Sequence, residues 1–120
     1  MIRVEIIRKV NFSGRVGEEE LLKLVFGLRE IEVATFRTVI VSKGTVDVES
    51  VARRIGRDRT TAQRSLCNLV SAGLVLRTVK PHRRLYYTYE AVSEEKIKEA
   101  LREYVRKLHR ELSQSVEESF

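Results

Sequence analysis

A run of basic and small polar residues between positions 57 and 68 has the chemistry to bind nucleic acid. On a helix of 3.6 residues per turn most of them fall on one side, whereas Ala62, Leu66 and Leu69 fall on the other. Glutamine can pair bidentately with adenine and arginine with guanine, so this spacing predicts contacts to base edges. The candidates for base contacts are Thr60, Gln63 and Arg64. Candidates for phosphate or other groove contacts are Arg57, Arg59, Thr61 and Asn68.

A second basic cluster surrounds Pro81. It consists of Lys80, His82, Arg83 and Arg84, and it separates strand-like segments at 74–80 and 85–89. Because proline pre-sets a turn and cannot donate a hydrogen bond to a neighbouring strand, we expect this cluster at a hairpin tip. Such a basic tip could contact the DNA backbone or the adjacent minor groove. Ordinary solvated turn charges are the alternative.

Positive charge is concentrated in this part of the chain. Residues 53–84 contain nine Arg or Lys and one acid, Asp58, a net charge of +8, whereas the whole chain of 120 residues carries +6. The remainder is therefore net negative. A polyanion-binding surface requires such concentration, and arginine outnumbers lysine here, which favours bidentate contacts to phosphate or guanine. The alternative is a solvated cationic face.

The hydrophobic pattern predicts the elements that position these residues. Helices are expected at 18–26, 29–42, 48–55 and 58–72, with a short extended piece at 45–47 and the two strands of the hairpin. We expect Asp58 to cap the fourth helix by accepting from backbone N–H groups near Thr60 and Thr61. The inward stripe of the second helix is drawn through Leu28, Ile31, Thr35 and Val39. Val33 and Ile40 lie further round, so this helix could be covered on two sides. Residues 2–10 fit a strand or a helix equally well.

The order of these elements predicts a mainly α, α+β fold with a small β-hairpin wing, the winged helix–turn–helix topology. Helix 48–55 and helix 58–72 form the helix–turn–helix, and the second of them is the recognition helix. From Ser93 the chain continues as one long helix. We therefore divide it into a DNA-binding domain at 1–92, including an N-terminal extension, and a C-terminal helix at 93–120.

The C-terminal helix carries an apolar stripe at spacings of three and four residues. A small domain has little core left to cover about four turns of such a stripe, so we expect self-association into a homodimer. The alternative is that the helix folds back on its own domain. The predicted dimerisation residues are Ile97, Leu101, Tyr104, Val105, Leu108 and Leu112.

Several functional classes have no support in the sequence. No apolar run approaches the length of a membrane helix, the N-terminus lacks signal-peptide character, and a single cysteine fits a reducing compartment, so we expect a cytoplasmic protein. No catalytic motif, cofactor motif or metal-ligand spacing is present, with His82 and His109 far apart. We expect Cys67 to be a partly buried small residue, with redox sensing the alternative. Tyr86, Tyr87 and Tyr89 are expected in sheet packing rather than in ligand stacking.

Two stretches resemble a known group of regulators. The segments GLREIEVATFRTVI and VESVARRIGRDRTTAQRSLCNLVSAGLVLR resemble archaeal winged-helix transcriptional regulators of the TrmB-like and MarR-like type. The likeness covers about residues 26–92. It implies a DNA-binding homodimer with Thr60, Thr61, Gln63 and Arg64 at groove positions and Arg83 and Arg84 in the wing. The large sugar-binding domain of full-length TrmB regulators is missing, so their effector role is not carried over to this chain.

The sequence therefore predicts a sequence-specific, double-stranded DNA-binding transcriptional regulator that acts as a homodimer. Its recognition helix, at about 58–72, enters the major groove, and its basic wing, at about 80–84, contacts the flanking backbone. A protein-interaction module of a transcription or repair assembly is the alternative hypothesis. Such a module would carry a more apolar or mixed surface on the recognition helix.

Overall fold

The structure, a computed structural model, describes residues 17–81 and 86–120 of the chain. Residues 2–10, for which a strand and a helix were both possible, lie outside this part. The described residues form five helices and two strands, in an order that confirms the predicted topology. The elements are α1 (Glu18–Phe26), α2 (Glu30–Val41), α3 (Val48–Ile55), α4 (Arg59–Ser71), β1 (Val75–Lys80), β2 (Tyr86–Ala91) and α5 (Glu94–Ser119).

The helix ends follow local chemistry that the sequence already shows. Gly56 adopts the left-handed conformation (φ 68°) between α3 and α4, a backbone geometry that glycine enters without a Cβ penalty. The Asp47 carboxylate accepts a hydrogen bond of 2.8 Å from the backbone N–H of Ser50 and so caps α3. The Ser93 hydroxyl accepts one of 3.3 Å from the Lys96 N–H at the start of α5. These caps explain why the predicted boundaries agree with the structure to within one or two residues.

The two strands form an antiparallel hairpin whose register runs from Lys80 opposite Tyr86 to Val75 opposite Ala91. The second strand is longer than the predicted segment 85–89, because pairing continues into the base of the hairpin, where the Val92 N–H donates to the Leu74 carbonyl at 3.0 Å. The predicted extended piece at 45–47 pairs with β2 through a single residue. Val46 and Tyr89 exchange two backbone hydrogen bonds of 2.9 and 2.8 Å.

The core lies between α2, α3, α4 and the base of the hairpin. Helix α2 is at its centre and is covered on more than one side. Thr35 and Val39 of the predicted stripe are buried, but Ile31 is only half-buried, whereas Val33 and Phe36 are almost completely enclosed. The burial of Val33, which lies outside that stripe, confirms the expectation that this helix is covered on two sides, because α3, α4 and β2 all pack against it.

Helix α5 has 26 residues, none of them buried. Its first half packs on α1, where the rings of Phe26 and Tyr104 meet edge to face with their centroids 4.8 Å apart, and Ile97 reaches the core. The alternative prediction, that this helix folds back on its own domain, therefore holds for its N-terminal half among the described residues. None of the described helices is both long and apolar enough to cross a membrane.

Candidate nucleic-acid interface

Helix α4 is held by one face and leaves the other open. Ala62, Leu66 and Leu69 have no solvent-accessible surface, and Ser65 on the same side is also buried. The side chains of Arg59, Thr60, Gln63 and Arg64 are exposed. We call these four residues the reading face. Because the buried side packs into the core, the core fixes the direction in which the reading face points.

The side chains of the reading face have no bonding partners among the described residues. Its four side chains make no hydrogen bond or ion pair with any residue of the described ranges 17–81 and 86–120. Arg57 is likewise exposed, in the turn where its backbone N–H donates to the Ala52 carbonyl at 3.0 Å. Unpaired guanidinium and amide groups at the start of a helix can donate to base edges and phosphates.

Asp58 occupies the N-cap of α4 as predicted, but its partner differs. Its carboxylate accepts from the hydroxyl of Thr61, and no backbone N–H completes a capping hydrogen bond with the side chain. That hydroxyl, with further help from the backbone N–H groups of Thr60 and Thr61, lowers the pKa of Asp58. The predicted capping residue is confirmed, and the backbone N–H groups of Thr60 and Thr61 interact with its carboxylate, but the hydrogen bond with good geometry comes from the Thr61 hydroxyl. That hydroxyl therefore has no proton left to donate to a phosphate in this conformation.

Asn68, the last predicted contact on α4, is exposed but turned toward α2. Its amide donates to the Glu32 carboxylate at 3.4 Å. Glu32 is 3% exposed and also accepts from Arg29, through the backbone N–H at 2.8 Å and the guanidinium Nη2 at 2.7 Å. Burial raises the pKa of Glu32, but the hydrogen bonds from Arg29 and Asn68 and the Arg29 charge outweigh it, so the net pKa is lowered. This network links the C-terminal half of α4 to α2.

Sequence periodicity alone did not find this network. The partner of Glu32 on α4 lies 36 residues away in the chain. The available signal was an acidic residue at the third position of α2, where a carboxylate can accept from the first backbone N–H groups.

The described part of the wing holds one of the four predicted basic residues. Lys80 is exposed at the end of β1, whereas His82, Arg83 and Arg84 lie outside the described residues. Arg77, on β1, is a further basic residue of the wing. Its charge was included in the basic segment of the sequence, but it was not predicted as a DNA contact. The guanidinium carbon of Arg77 lies 4.7 Å from the centroid of the Tyr87 ring, close enough for a cation–π contact.

The three wing tyrosines differ in burial. Tyr89 is 1% exposed and packs in the core, as expected, whereas Tyr86 and Tyr87 are 45% and 44% exposed. Burial raises the pKa of Tyr89, and the nearby Cys67 raises it further. The charge and hydrogen bond of Arg77 lower this pKa but do not outweigh burial. The expectation of sheet packing therefore fits Tyr89 best.

Cys67 is half-buried and unpaired, as predicted for a small residue at the edge of the core. Over residues 17–81 and 86–120, no three His, Cys, Asp or Glu side chains are grouped so that they could hold a metal ion. His109 lies on exposed α5, and His82 is outside these ranges.

The predicted dimerisation residues share one side of α5 and are only partly covered. Ile97, Leu101 and Leu108 are half-buried, and Tyr104, Val105 and Leu112 are between 36% and 48% exposed. Val116 and Phe120, which the prediction did not include, continue the exposed apolar surface toward the end of the helix. We call this set the α5 stripe.

Comparisons with known proteins agree with the fold. The family model described as "Sugar-specific transcriptional regulator TrmB" matches residues 22–95. Protein MJ1082 of Methanocaldococcus jannaschii is 34% identical over 95 residues, which cover 78% of this chain and 78% of that protein.

Solved structures show the same arrangement of elements. A possible transcriptional regulator from Methanosarcina mazei superposes with a TM-score of 0.75 at 18% identity, over 91% of this chain and 94% of that one. A MarR family regulator from Rhodococcus superposes with a TM-score of 0.52 at 21% identity, over 81% and 79% of the two chains. At these identities the likeness establishes the winged helix–turn–helix fold.

Proposed function

Because this chain belongs to the TrmB family of transcriptional regulators, we propose that it binds double-stranded DNA sequence-specifically as a homodimer. Helix α4 enters the major groove and the wing contacts the flanking backbone. One observation carries the proposal. The buried side of α4 is completely enclosed, while the reading face is exposed and makes no side-chain bond within the described ranges.

Roles follow from donor chemistry and from position along α4. Gln63 and Arg64 lie in its N-terminal half, the part that recognition helices direct at base edges, and both can bind a base bidentately. Arg57 and Arg59 precede them, where a guanidinium reaches the phosphates that set the register. Thr60 is an exposed hydroxyl at the helix start, suited to a base edge or a phosphate. Lys80, His82, Arg83 and Arg84 supply the wing contacts.

Two earlier candidates take smaller roles. The Thr61 hydroxyl is committed to Asp58 and the Asn68 amide to Glu32, so each must exchange a partner before it can contact DNA. We propose that Asp58 and Thr61 chiefly hold the start of α4, and that Asn68 chiefly fixes its distance from α2.

A second copy of the chain covers the α5 stripe. The stripe leaves Val105, Leu112 and Val116 at 48%, 36% and 59% exposed, a run of apolar side chains that solvated helices avoid. Charge favours an antiparallel arrangement of the two helices. Residues 102–110 contain four Arg or Lys and one Glu, whereas residues 111–118 contain three Glu and no Arg or Lys. Antiparallel pairing brings the basic segment of one helix beside the acidic segment of the other.

The surface of α4 also separates this proposal from the interaction-module hypothesis. Among the described residues, the large exposed apolar side chains lie at the end of α2, on the hairpin and on α5. The reading face contains only Arg, Thr and Gln. A protein-binding surface on α4 would need apolar anchors at its centre.

Selection of bound sequences from a random duplex pool tests the proposed function. We expect enrichment of an inverted repeat with half-sites about 10 base pairs, or a multiple of that, apart. Enrichment of single half-sites would contradict the dimer, and no enrichment would contradict sequence-specific binding. If no random duplex shifts in a gel at low salt, DNA binding itself is wrong and the interaction module becomes the better hypothesis.

A further inference from the structure

A groove of about 320 Å³ separates the reading face from the wing and contains groups that the predicted contacts do not use. Arg59 and Gln63 of α4 line one wall, and Tyr86 and Tyr87 of β2 line the other. Asp47 and Glu49, at the start of α3, lie at the third side. In a winged helix–turn–helix complex, the DNA strand between the major groove and the wing passes this position.

The register of the hairpin places Arg77 beside two residues that line this groove, Tyr87 and Tyr89. Arg77 pairs with Tyr89, and Val79 pairs with Tyr87, so Arg77, Tyr87 and Tyr89 share one face of the sheet. That face is turned toward the core, since Tyr89 is 1% exposed and packs there. Farther out, Tyr87 is 44% exposed and Arg77 is exposed beside it.

The contact between Arg77 and Tyr87 prepares the guanidinium for an anion. The guanidinium carbon lies 4.7 Å from the ring centroid, within the range of a cation–π contact. The guanidinium also interacts with the Tyr89 hydroxyl, which leaves further N–H donors, and no carboxylate of the described residues forms an ion pair with it. An arginine already held by an aromatic ring loses less conformational entropy on binding than a free side chain does.

The acids of the groove restrict where an anion can bind. The Asp47 carboxylate is engaged by the Ser50 N–H, which lowers its pKa, and it therefore stays negatively charged with Glu49 nearby. A phosphate is repelled by Asp47 and Glu49. It is attracted to the guanidinium groups of Arg59, which lines the groove, and of Arg77, on the adjoining face of the hairpin. The groove therefore favours a phosphate at its outer edge over a small anion at its floor.

We infer that Arg77, held by Tyr87, binds a phosphate of the DNA strand that passes between α4 and the wing. Arg77 is thereby a positioning residue that sets how deeply the reading face enters the major groove. The inference rests on the proposed function. It adds a contact at the base of the wing, separate from the basic tip around Pro81.

Salt titration of binding by Arg77→Ala tests the inference, with Arg37→Ala as the matched control. Arg37 is an exposed arginine on α2 whose ion pair with Glu19 is at the surface, so both variants lose the same charge. We expect Arg77→Ala to lower affinity about tenfold on specific and random duplexes alike. The slope of log K against log salt should fall by about 0.9, the value for one phosphate contact, and Arg37→Ala should leave it unchanged.

Two substitutions of Tyr87 distinguish the contribution of its ring from that of its hydroxyl. Tyr87→Phe keeps the ring and should bind as the wild type does, whereas Tyr87→Ala should lose part of the affinity lost in Arg77→Ala. Equal losses in both Tyr87 variants would overturn the stacking role. Unchanged affinity and salt slope in Arg77→Ala, with a loss in Arg64→Ala, would overturn the inference and leave the proposed function intact. If the wild type binds no duplex, the proposed function fails first.

Discussion

Helices α4 and α5 are both amphipathic, but among residues 17–81 and 86–120 only α4 has its apolar side fully covered. Ala62, Leu66 and Leu69 of α4 are fully enclosed, whereas no residue of α5 is buried. Each buried leucine contributes about 1.5–3 kcal/mol to folding relative to an exposed one, so α4 is fixed by its own domain. The described residues give the α5 stripe only part of that stabilisation.

This difference in burial suits α4 to ligand binding and α5 to association with a second surface. A helix whose apolar side is satisfied can offer its polar side to a ligand without moving, as the reading face requires. A helix whose apolar side is unsatisfied gains stability from a second surface. Substitutions in α4 should therefore change folding or base recognition, whereas substitutions in the α5 stripe should change assembly.

The largest effect is expected from Leu112→Asp on α5. A charge in the α5 stripe should prevent the two helices from pairing, and loss of the second binding module should lower DNA affinity by about 10²–10⁴-fold. Analytical ultracentrifugation and a mobility-shift titration measure both effects. Gln114→Asp introduces the same charge on the other side of α5 and should leave the dimer intact. A dimeric Leu112→Asp protein would show that the stripe is not the interface.

Leu66→Ala, on the enclosed side of α4, should lower the free energy of unfolding by about 2–5 kcal/mol, because it leaves a cavity in the core. Urea denaturation followed by circular dichroism measures the change. The control is Leu76→Ala on the hairpin, where the side chain is 50% exposed and the cost should stay within about 0.5 kcal/mol. Similar costs for the two variants would contradict the packing of α4.

Arg64→Ala, on the open side of the same helix, should leave stability unchanged and weaken binding. We expect a loss of about 1–3 kcal/mol confined to one base pair of the site, since a bidentate contact to guanine is removed. Competition titrations against single-base variants of the selected site provide the measurement. Arg64→Lys keeps the charge but not the planar donor pair, so it should lose the same discrimination. An equal loss on every sequence would instead assign Arg64 to a phosphate.

The smallest effect concerns the network that joins α4 to α2. Glu32→Gln removes the charge that Arg29 and Asn68 bind, and it should cost about 1–2 kcal/mol at pH 7. The pKa of Glu32 is lowered in the folded protein, so its charge contributes stability above the ordinary value of 4.5. That contribution is lost as the pH falls through the lowered value. The stabilities of wild type and Glu32→Gln should therefore converge in acid, and a constant difference would contradict the role of the charge.

Patterns that repeat locally made much of this structure predictable. The spacing of Ala62, Leu66 and Leu69 identified the buried side of α4, and Gly56 and Asp58 marked its start. Proline and the alternating β-branched residues identified the hairpin. Each of these signals lies within a few residues of the feature that it predicts.

Features that depend on contacts between distant residues could not be predicted in this way. The Glu32–Asn68 hydrogen bond requires the crossing of α2 and α4, and the Arg77–Tyr87 contact requires the register of the hairpin. At Asp58 the sequence identified the capping residue and its backbone neighbours, but not the hydrogen bond from the Thr61 hydroxyl.

The paired backbone hydrogen bonds between Val46 and Tyr89 attach the wing to the domain at its base. Its root is clamped on one side by this bridge and on the other by the bond from Val92 to Leu74, and beyond Val75 every residue of β1 is exposed. We therefore expect the base of the hairpin, where Arg77 pairs with Tyr89, to hold its position relative to the core more strictly than Lys80 and Tyr86 farther along the strands.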